Sequence, residues 1–360
     1  MNLLYYSNIK YRPSLQLLSV EREHFANNLI HHVCGAATAS STLWDNVRVK
    51  ILITGITGFV GSHLAKELAA QGHAVRGLVR KPNGRGHLDS SVPVEFVTGD
   101  VTRPETLPAA LRGMDAVVHL VAIAYESGGA TYDGINAQGT RNVVQAAHAA
   151  GVKRFVLQSA LAADSKSPYA YLRSKGAGED AVRASQLDWT IIRPSVLVGP
   201  EDEFANALAR WLVITPLVFP LVGDGQARFQ PLWIQDMVKI ISRVLNEPRT
   251  IHQSYEVGGP EHLTYEAIVK QILIVLQRKR LLVKVPVPLM RPVIQLMQTV
   301  LPKPPATTSL LELLNVDNTT QLDAVERNFG FQPRQFAKVI TYLERYPFRR
   351  ALREAFRREA

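Results

Sequence analysis

The feature that most constrains this fold is an apolar run that ends in three closely spaced glycines, K50-I-L-I-T-G-I-T-G-F-V-G61. The run predicts a buried parallel strand, and the residues after it predict an amphipathic helix. Gly55 permits a tight turn, Gly58 lets a pyrophosphate approach the backbone, and Gly61 lets the helix pack closely on the strand. Because the helix N-terminus is left open to an anion, the segment predicts a dinucleotide site, with a structural glycine turn as the alternative.

The residues that follow alternate between predicted strands and helices. The predicted strands cover residues 73–79, 94–97, 115–122, 152–159 and 188–193, and a helix is predicted over 131–150. This order is typical of an α/β fold with a doubly wound parallel sheet, a Rossmann fold, whose ligands bind at the carboxyl ends of the strands. After Gly199 the alternation stops, and the family resemblance given below implies a smaller C-terminal α/β substrate lobe there.

The chain therefore divides into four predicted segments. They are a poorly structured N-terminal extension over 1–47, a dinucleotide-binding Rossmann domain over 48–200, a smaller lobe interleaved with the sheet over 201–345, and a basic tail over 346–360.

The second predicted strand indicates which dinucleotide is bound. NAD-specific proteins carry a carboxylate about 20 residues after the glycines, where it binds the ribose 2′-hydroxyl. No Asp or Glu occurs between Glu67 and Asp89, and the expected position is surrounded by basic residues: Arg76, Arg80, Lys81 and Arg85. A guanidinium there can pair with a 2′-phosphate, so the pattern favours NADP(H) over NAD(H). Solvated loop charges are the alternative.

A tyrosine and a lysine four residues apart, Tyr171 and Lys175, follow the fifth predicted strand. This spacing places the phenol and the ammonium on one face of a helix. A nearby ammonium lowers the pKa of a phenol, so Tyr171 is predicted to exchange a proton with a substrate hydroxyl or carbonyl. The lysine can also hold a nicotinamide ribose.

With these features the sequence resembles the short-chain dehydrogenase/reductase superfamily, in its extended and atypical branches. The matching segments are G55-I-T-G-F-V-G61, Asp100, H119-L-V-A122, N136-A-Q-G-T-R-N142, Tyr171 with Lys175, R193-P-S-V-L-V-G199 and W233-I-Q-D236. Within that branch, the run from Phe155 to Glu179 looks most like the NAD(P)H-binding accessory subunit of respiratory complex I and its bacterial relatives.

The resemblance implies roles for individual residues. Tyr171 and Lys175 would be catalytic, with Ser159 as an auxiliary hydrogen-bond donor. Residues implied to contact the dinucleotide are Gly55, Thr57, Gly58, Phe59, Val60, Gly61, Arg80, Lys81, Asp100, Val101, Val121, Ala122, Asn136, Lys175 and Pro194. One position departs from the pattern, because Ala160 stands where active members carry a serine or threonine. Losing that donor would lower the rate by about 10²-fold or more.

Three functions follow from these observations. The first is a protein that binds NADP(H) in a structural or accessory role, akin to the complex I subunit. The second is an active NAD(P)-dependent reductase, or a sugar-nucleotide epimerase or dehydratase, that uses Tyr171 and Lys175. The third is a nucleotide-sensing regulator. The residue at position 160 favours the first function, whereas the Tyr171–Lys175 pair favours the second.

Positive charge is concentrated in the C-terminal third. The chain has a formal net charge of +10, and seven basic residues but no acidic residue lie between Glu266 and Glu312. Residues 331–360 carry eight basic against three acidic residues. This pattern predicts an anionic membrane surface or an acidic protein as the partner, with a solvated basic face as the alternative. The resemblance implies respiratory-chain subunits as the protein partner. Nucleic acid is not expected, because no nucleic-acid-reading module accompanies the charge.

The apolar stretch over 281–301 has three interpretations: a lid over a bulky apolar substrate, a surface that rests on a membrane or a subunit, or ordinary lobe core.

The first 46 residues fit neither a secretory signal nor a transit peptide, and we expect translation to start near Val47. They contain His31, His32 and Cys34, which lack the paired spacing of a zinc site, so no metal is predicted. Cys34 is the sole cysteine, which fits a reducing compartment. We expect a cytoplasmic protein, with peripheral attachment to the inner face of the cell membrane as the alternative.

Overall fold

The computed structural model describes residues 48–82, 84, 86–300, 311, 314 and 316–356. The predicted N-terminal extension, with His31, His32 and Cys34, lies outside the described residues. So does Arg85.

Short apolar runs form the strands of a central parallel sheet. These strands are β1 (Lys50–Thr54), β2 (Ala74–Val79), β3 (Val94–Thr98), β4 (Ala116–His119), β5 (Arg154–Gln158), β6 (Asp188–Pro194) and β11 (Gln253–Val257). Their order across the described sheet is β3-β2-β1-β4-β5-β6-β11, and all neighbouring pairs are parallel. The predicted doubly wound Rossmann sheet is thus confirmed, and β11 extends it from a late part of the chain.

Helices cover both faces of the sheet. The described α-helices are α1 (Phe59–Ala70), α2 (Leu107–Leu111), α3 (Gly139–Ala149), α4 (Ala170–Arg183), α5 (Ala205–Ile214), α6 (Ile234–Asn246), α7 (Tyr265–Val275), α8 (Val287–Val300), α9 (Ala324–Phe329), α10 (Phe336–Val339) and α11 (Phe348–Phe356). The middle of strand β1 is apolar because helices cover both of its faces. Ile51 and Ile53 pack in the core beneath α1 and α6, while Leu52 packs in the core beneath α2 and α3.

Two predicted elements differ in their bounds. The fourth strand ends at His119 rather than at residue 122, although the next amide, that of Leu120, still donates to the Thr54 carbonyl of β1 at 3.1 Å. The helix predicted over 131–150 begins with a wider π-helical stretch, Asp133–Gln138, before α3.

The residues after Gly199 build a second core beside the sheet. Helices α5, α7 and α10 contribute side chains to this core. So does a two-stranded parallel pair, β8 (Val218–Val222) and β13 (Leu281–Val285). Other short pairs join β7 (Leu197–Val198) to β10 (Leu232–Trp233) and β9 (Arg228–Phe229) to β12 (Leu263–Thr264). Among the described helices, none is both long enough and apolar enough to cross a bilayer.

Candidate functional site

The glycine turn lies where the strand order reverses, between β1 and β4. Gly55 has φ +76°, and its carbonyl accepts a hydrogen bond of 3.1 Å from the Gly58 amide. Gly58 is exposed and extended, and the twelve-residue helix α1 begins directly after it. The partial positive charge of that helix N-terminus therefore faces solvent at the carboxyl edge of the sheet.

The three glycines have different neighbours. A Cβ on Gly61 would lie 2.6 Å from the Ile56 Cα, and one on Gly55 would lie 3.1 Å from the Val121 amide nitrogen. A Cβ on Gly58 would meet only the Gly55 carbonyl oxygen, at 3.3 Å. Gly61 and Gly55 are thus needed for packing, whereas the space above Gly58 is open to a ligand. These positions fit a pyrophosphate.

Arg80 and Lys81 are exposed and directly follow β2, the strand next to β1. The loop after them folds back to the glycine turn, where the His87 amide donates to the Thr57 carbonyl. Arg76, which the sequence placed in the same basic cluster, is instead held by Glu95 and by the Ala110 carbonyl, at 2.9 and 3.0 Å. Arg80 and Lys81 therefore remain as the candidates for a 2′-phosphate.

Asp100 and Val101 follow β3. The Asp100 carboxylate accepts hydrogen bonds of 2.8 Å from both the amide and the hydroxyl of Thr102, and Val101 is buried. The Val101 carbonyl accepts a bond of 2.8 Å from the Asn142 side chain. Both residues thus fix the loop at this edge of the sheet.

The buried imidazole of His119 connects the ends of β1 and β4. Its Nδ1 lies 2.7 Å from the Thr54 hydroxyl and its Nε2 lies 3.1 Å from the Thr140 hydroxyl. Burial, with the charge of Lys175, lowers the His119 pKa to about 3, so the ring is neutral. It holds the strand ends together just before Val121 and Ala122.

Asn136 is buried, and its amide fixes the loop that contains Val121 and Ala122. Its Oδ1 accepts from the Ile123 amide at 2.8 Å, and its Nδ2 donates to the Ile123 carbonyl and to the Ser174 hydroxyl, each at 3.1 Å. The side chain therefore positions the loop through its bonds within the protein.

A cavity of about 290 Å³ opens beyond the end of β5. Its polar lining residues are Gln158, Ser159, Tyr171, Ser195 and Asn318. Its larger apolar lining is Ala124, Ala160, Leu161, Leu172, Pro194, Val196, Leu197, Phe204, Phe229 and Val316. The predicted residues Ser159, Tyr171 and Pro194 thus share one mostly apolar cavity.

Two polar atoms of this lining lack partners. Within the described chain, neither the Ser159 hydroxyl nor the Gln158 Oε1 has a hydrogen-bond partner, although both atoms are buried. Because buried polar groups are nearly always paired, an orphaned hydroxyl in a cavity wall indicates a position that a ligand completes.

Tyr171 and Lys175 both lie on α4, as predicted, but their electrostatics differ from the prediction. The Lys175 ammonium is buried and donates to the Gln158 carbonyl at 2.8 Å, and burial lowers its pKa to about 8. Burial, with the nearby Tyr132, raises the pKa of the half-buried Tyr171 to about 12. The expectation of a lowered phenol pKa is therefore wrong for the protein without ligands.

The position of α4 is fixed by a buried carboxylate. Glu179 is fully buried and accepts hydrogen bonds of 2.8 and 2.6 Å from the guanidinium of Arg193 on β6. A bidentate pair of this kind gives geometric specificity. The pair joins α4 to β6 and so fixes the position of Tyr171 relative to the end of the sheet.

Comparison with known proteins agrees with this geometry. A family model described as NAD(P)H-binding matches residues 55–208. Subunit 9 of the mitochondrial NADH dehydrogenase [ubiquinone] 1 alpha subcomplex from Arabidopsis thaliana is 26% identical over 279 residues, which cover 75% of this chain and 68% of the subunit. These matches agree with the resemblance to the short-chain dehydrogenase/reductase superfamily. A nicotinamide dinucleotide is the cofactor of this chain.

Two further comparisons concern an enzyme similar in sequence and a solved structure similar in fold. A ceramide reductase from Caulobacter vibrioides is 36% identical over 179 residues, 50% of this chain and 56% of the reductase. The dTDP-glucose 4,6-dehydratase from Streptomyces venezuelae, solved with NAD, superposes with a TM-score of 0.65 at 24% identity, over 85% of this chain and 98% of the dehydratase chain. The latter likeness concerns the fold alone.

Two residues at this site, His119 and Asn318, were given no role of their own from the sequence. His119 ends an apolar strand, so a polar residue at that point was an available signal. Asn318 offered none, because its side chain reaches the cavity only through the fold, where it accepts hydrogen bonds from the Ser195 hydroxyl and the Val196 amide at 2.6 and 2.9 Å. Among the described residues, no group of three or more histidine, cysteine, aspartate or glutamate side chains could hold a metal ion.

Proposed function

We propose that the protein is an NADP(H)-dependent oxidoreductase that interconverts a hydroxyl and a carbonyl group on a bulky apolar molecule. The observation that carries the proposal is the joint position of Ser159 and Tyr171 in one mostly apolar cavity, with the Ser159 hydroxyl left unpartnered. The sequence favoured a structural role because Ala160 occupies the expected donor position. Ser159 and Ala160 both line the cavity, and Ser159 carries the hydroxyl that Ala160 lacks, which supports a catalytic role for Ser159.

A nicotinamide dinucleotide held at the glycine turn and by Arg80 would supply the hydride for the carbonyl carbon in the reducing direction and would accept it in the other. Tyr171 donates the proton that converts the carbonyl oxygen into a hydroxyl. Ser159 stabilises the charge that develops on the same oxygen.

Lys175 is placed to couple cofactor binding to this chemistry. Its ammonium bonds the Gln158 carbonyl, and Gln158 and Ser159 are adjacent at the end of β5. A nicotinamide ribose that bonds Lys175 would weaken this contact. The ammonium would then be free to stabilise a Tyr171 phenolate, which lowers the tyrosine pKa toward the working range.

The substrate class follows from the cavity walls. Aromatic and aliphatic side chains, among them Phe204, Phe229 and Leu172, enclose the space, and charged side chains are absent from its described lining. This environment favours apolar molecules over sugar nucleotides, whose phosphates need cations. The similarity to a ceramide reductase supports a lipid alcohol or ketone.

A second candidate is an accessory role, in which the protein holds NADP(H) without turnover. The Lys175 contact with Gln158 and the raised Tyr171 pKa favour it, because both describe a tyrosine that is not activated. Similarity to the Arabidopsis respiratory subunit supports the same role and would make respiratory-chain subunits the partners.

One experiment separates the two candidates. The nucleotide that one sample retains, after purification without added cofactor, is extracted and identified. A second sample is loaded with NADPH and incubated with long-chain and polycyclic ketones while NADPH absorbance is followed. Oxidation of NADPH that requires both Tyr171 and a ketone supports the oxidoreductase. A tightly held NADPH that no ketone oxidises, with co-purifying respiratory subunits, would refute it in favour of the accessory role.

A further inference from the structure

Three chain segments meet at one exposed edge of the C-terminal lobe. Helix α7 ends at Val275, a short turn follows, and β13 starts at Leu281. The Leu281 amide donates to the Leu217 carbonyl at 2.9 Å, and Leu281 pairs with Val218 of β8. The residues Leu217, Val218, Ile274, Arg278, Lys279 and Leu281 at this junction form what we call the basic–apolar edge.

The aliphatic side chains of this edge project into solvent. Leu217 is 77% exposed, Ile274 74% and Leu281 65%. The alternate residues of the same two strands, Phe219 and Leu282, turn inward and pack in the lobe core. On β13 the exposed Leu281 and the inward Leu282 follow the alternation of a strand. Leu217 directly precedes β8, and Ile274 lies in the last turn of α7.

The charge of the edge is positive. Arg278 and Lys279 are exposed in the turn, and neither forms an ion pair with a carboxylate among the described residues. The neighbouring Arg280 instead donates to the Leu212 carbonyl at 3.0 Å, which fixes the turn. The absence of acidic residues between Glu266 and Glu312 leaves this charge unopposed along the sequence.

We propose that the basic–apolar edge docks the protein on an anionic lipid bilayer. Aliphatic side chains enter the boundary between headgroups and acyl chains, while arginine and lysine beside them contact anionic headgroups. A protein interface would instead be expected to centre on aromatic residues within a closely packed patch. The edge has isolated aliphatic side chains and two cations, which match a bilayer.

The basic tail predicted from the sequence also exposes apolar side chains, Phe348, Leu352 and Phe356, but deletion cannot test it as a membrane contact. Its helix α11 packs on α5, and Tyr346 and Ala351 are buried in the lobe core. Deleting the tail would expose that core, so a loss of membrane binding after deletion would not identify the contact.

The apolar part of the proposal is tested with the full chain and the double variant Leu217→Thr/Leu281→Thr. Flotation is measured with phosphatidylcholine vesicles and with vesicles in which phosphatidylglycerol replaces part of the phosphatidylcholine. We expect wild-type protein to float with the anionic vesicles, and the variant to bind about tenfold more weakly for each leucine. Leu322→Thr, at an exposed leucine outside the edge, should bind like wild type.

The charged part is tested with Arg278→Gln/Lys279→Gln. We expect about fivefold weaker binding to anionic vesicles for each charge removed, and the loss should shrink as salt is added. Arg112→Gln/Lys153→Gln removes the same charge from exposed positions in the Rossmann domain and should leave binding unchanged.

Either of two results would overturn the membrane assignment. One is equal binding by the edge variants and their controls, with thermal unfolding showing that all are folded. The other is a wild type that ignores both kinds of vesicle, while the edge variants lose a co-purifying acidic protein. Vesicle binding is measured without substrate, so these outcomes do not depend on the proposed oxidoreductase activity.

Discussion

The glycine turn and the cavity beyond β5 lie at the same edge of the sheet, but they are built differently. The turn comes from one short segment, in which a strand, three glycines and a helix follow each other directly. The cavity collects residues from separate parts of the chain, from Ala124 to Asn318. The residues for cofactor binding therefore come from one stretch of the sequence, whereas the residues that line the cavity are brought together by the whole fold.

This difference means that binding and turnover can be separated by mutation. Changes in the turn should remove both, because chemistry requires the dinucleotide. Changes in the cavity should remove turnover alone. A protein with a purely structural nucleotide would show only the first kind of effect.

The largest effect is expected from Gly58→Val. The side chain would occupy the open space above the turn, so binding of NADPH and all turnover should be abolished. Gly61→Ala is the matched control, because its Cβ would crowd the Ile56 Cα and should destabilise the fold by about 1–3 kcal/mol. Calorimetric titration and urea unfolding distinguish the two, and unchanged NADPH affinity in Gly58→Val would disprove the assignment of the turn.

Tyr171→Phe should lower kcat by about 10²–10⁴-fold, because the proton donor is lost. The dissociation constant of NADPH should stay near the wild-type value. Tyr169→Phe, two residues earlier and outside the described cavity lining, serves as the control and should keep its activity. Activity retained by Tyr171→Phe would show that this phenol is not the acid.

Arg80→Ala should weaken NADPH about tenfold or more, because a charge-assisted contact with the 2′-phosphate is lost. NADH, which lacks this phosphate, should be affected little. For Arg76→Ala we expect any loss to be the same for both nucleotides, since that guanidinium is held by Glu95. Equal losses of the two nucleotides in Arg80→Ala would contradict the role of Arg80.

The smallest expected effect is on the pH dependence of the free energy of unfolding, and it arises from His119 at the ends of β1 and β4. The folded protein holds His119 neutral with a pKa of about 3, against an ordinary value of 6.5. As pH falls below about 6.5 the unfolded chain takes up the proton first, so this stabilisation is lost between about pH 6.5 and pH 3. The slope should be at most about 1.4 kcal/mol per pH unit.

Urea unfolding at a series of pH values measures this slope. His119→Gln should flatten the acid limb of the stability profile, whereas His148→Gln, at an exposed histidine, should not. An unchanged acid limb in His119→Gln would show that another group titrates there.

The residues predicted to bind the dinucleotide could be located from the sequence, because they follow one another along the chain. Gly58 at a helix start and Arg80 after the second strand could both be placed by counting elements. Arg76 could not, since Glu95 and the Ala110 carbonyl, which hold it, are contributed by other elements. The electrostatics of Tyr171 and Lys175 were also beyond the sequence, because the pKa of each depends on burial.

By itself the sequence determined the sheet, the glycine turn and the helix that carries Tyr171 and Lys175, because strand alternation and helical spacing are local. Only the tertiary structure decided that Ser159 lines the cavity, that Lys175 contacts Gln158, and that Leu217 and Leu281 share one exposed edge. These contacts join residues that are distant in sequence. Their geometry is fixed by packing, which no single stretch of the chain encodes.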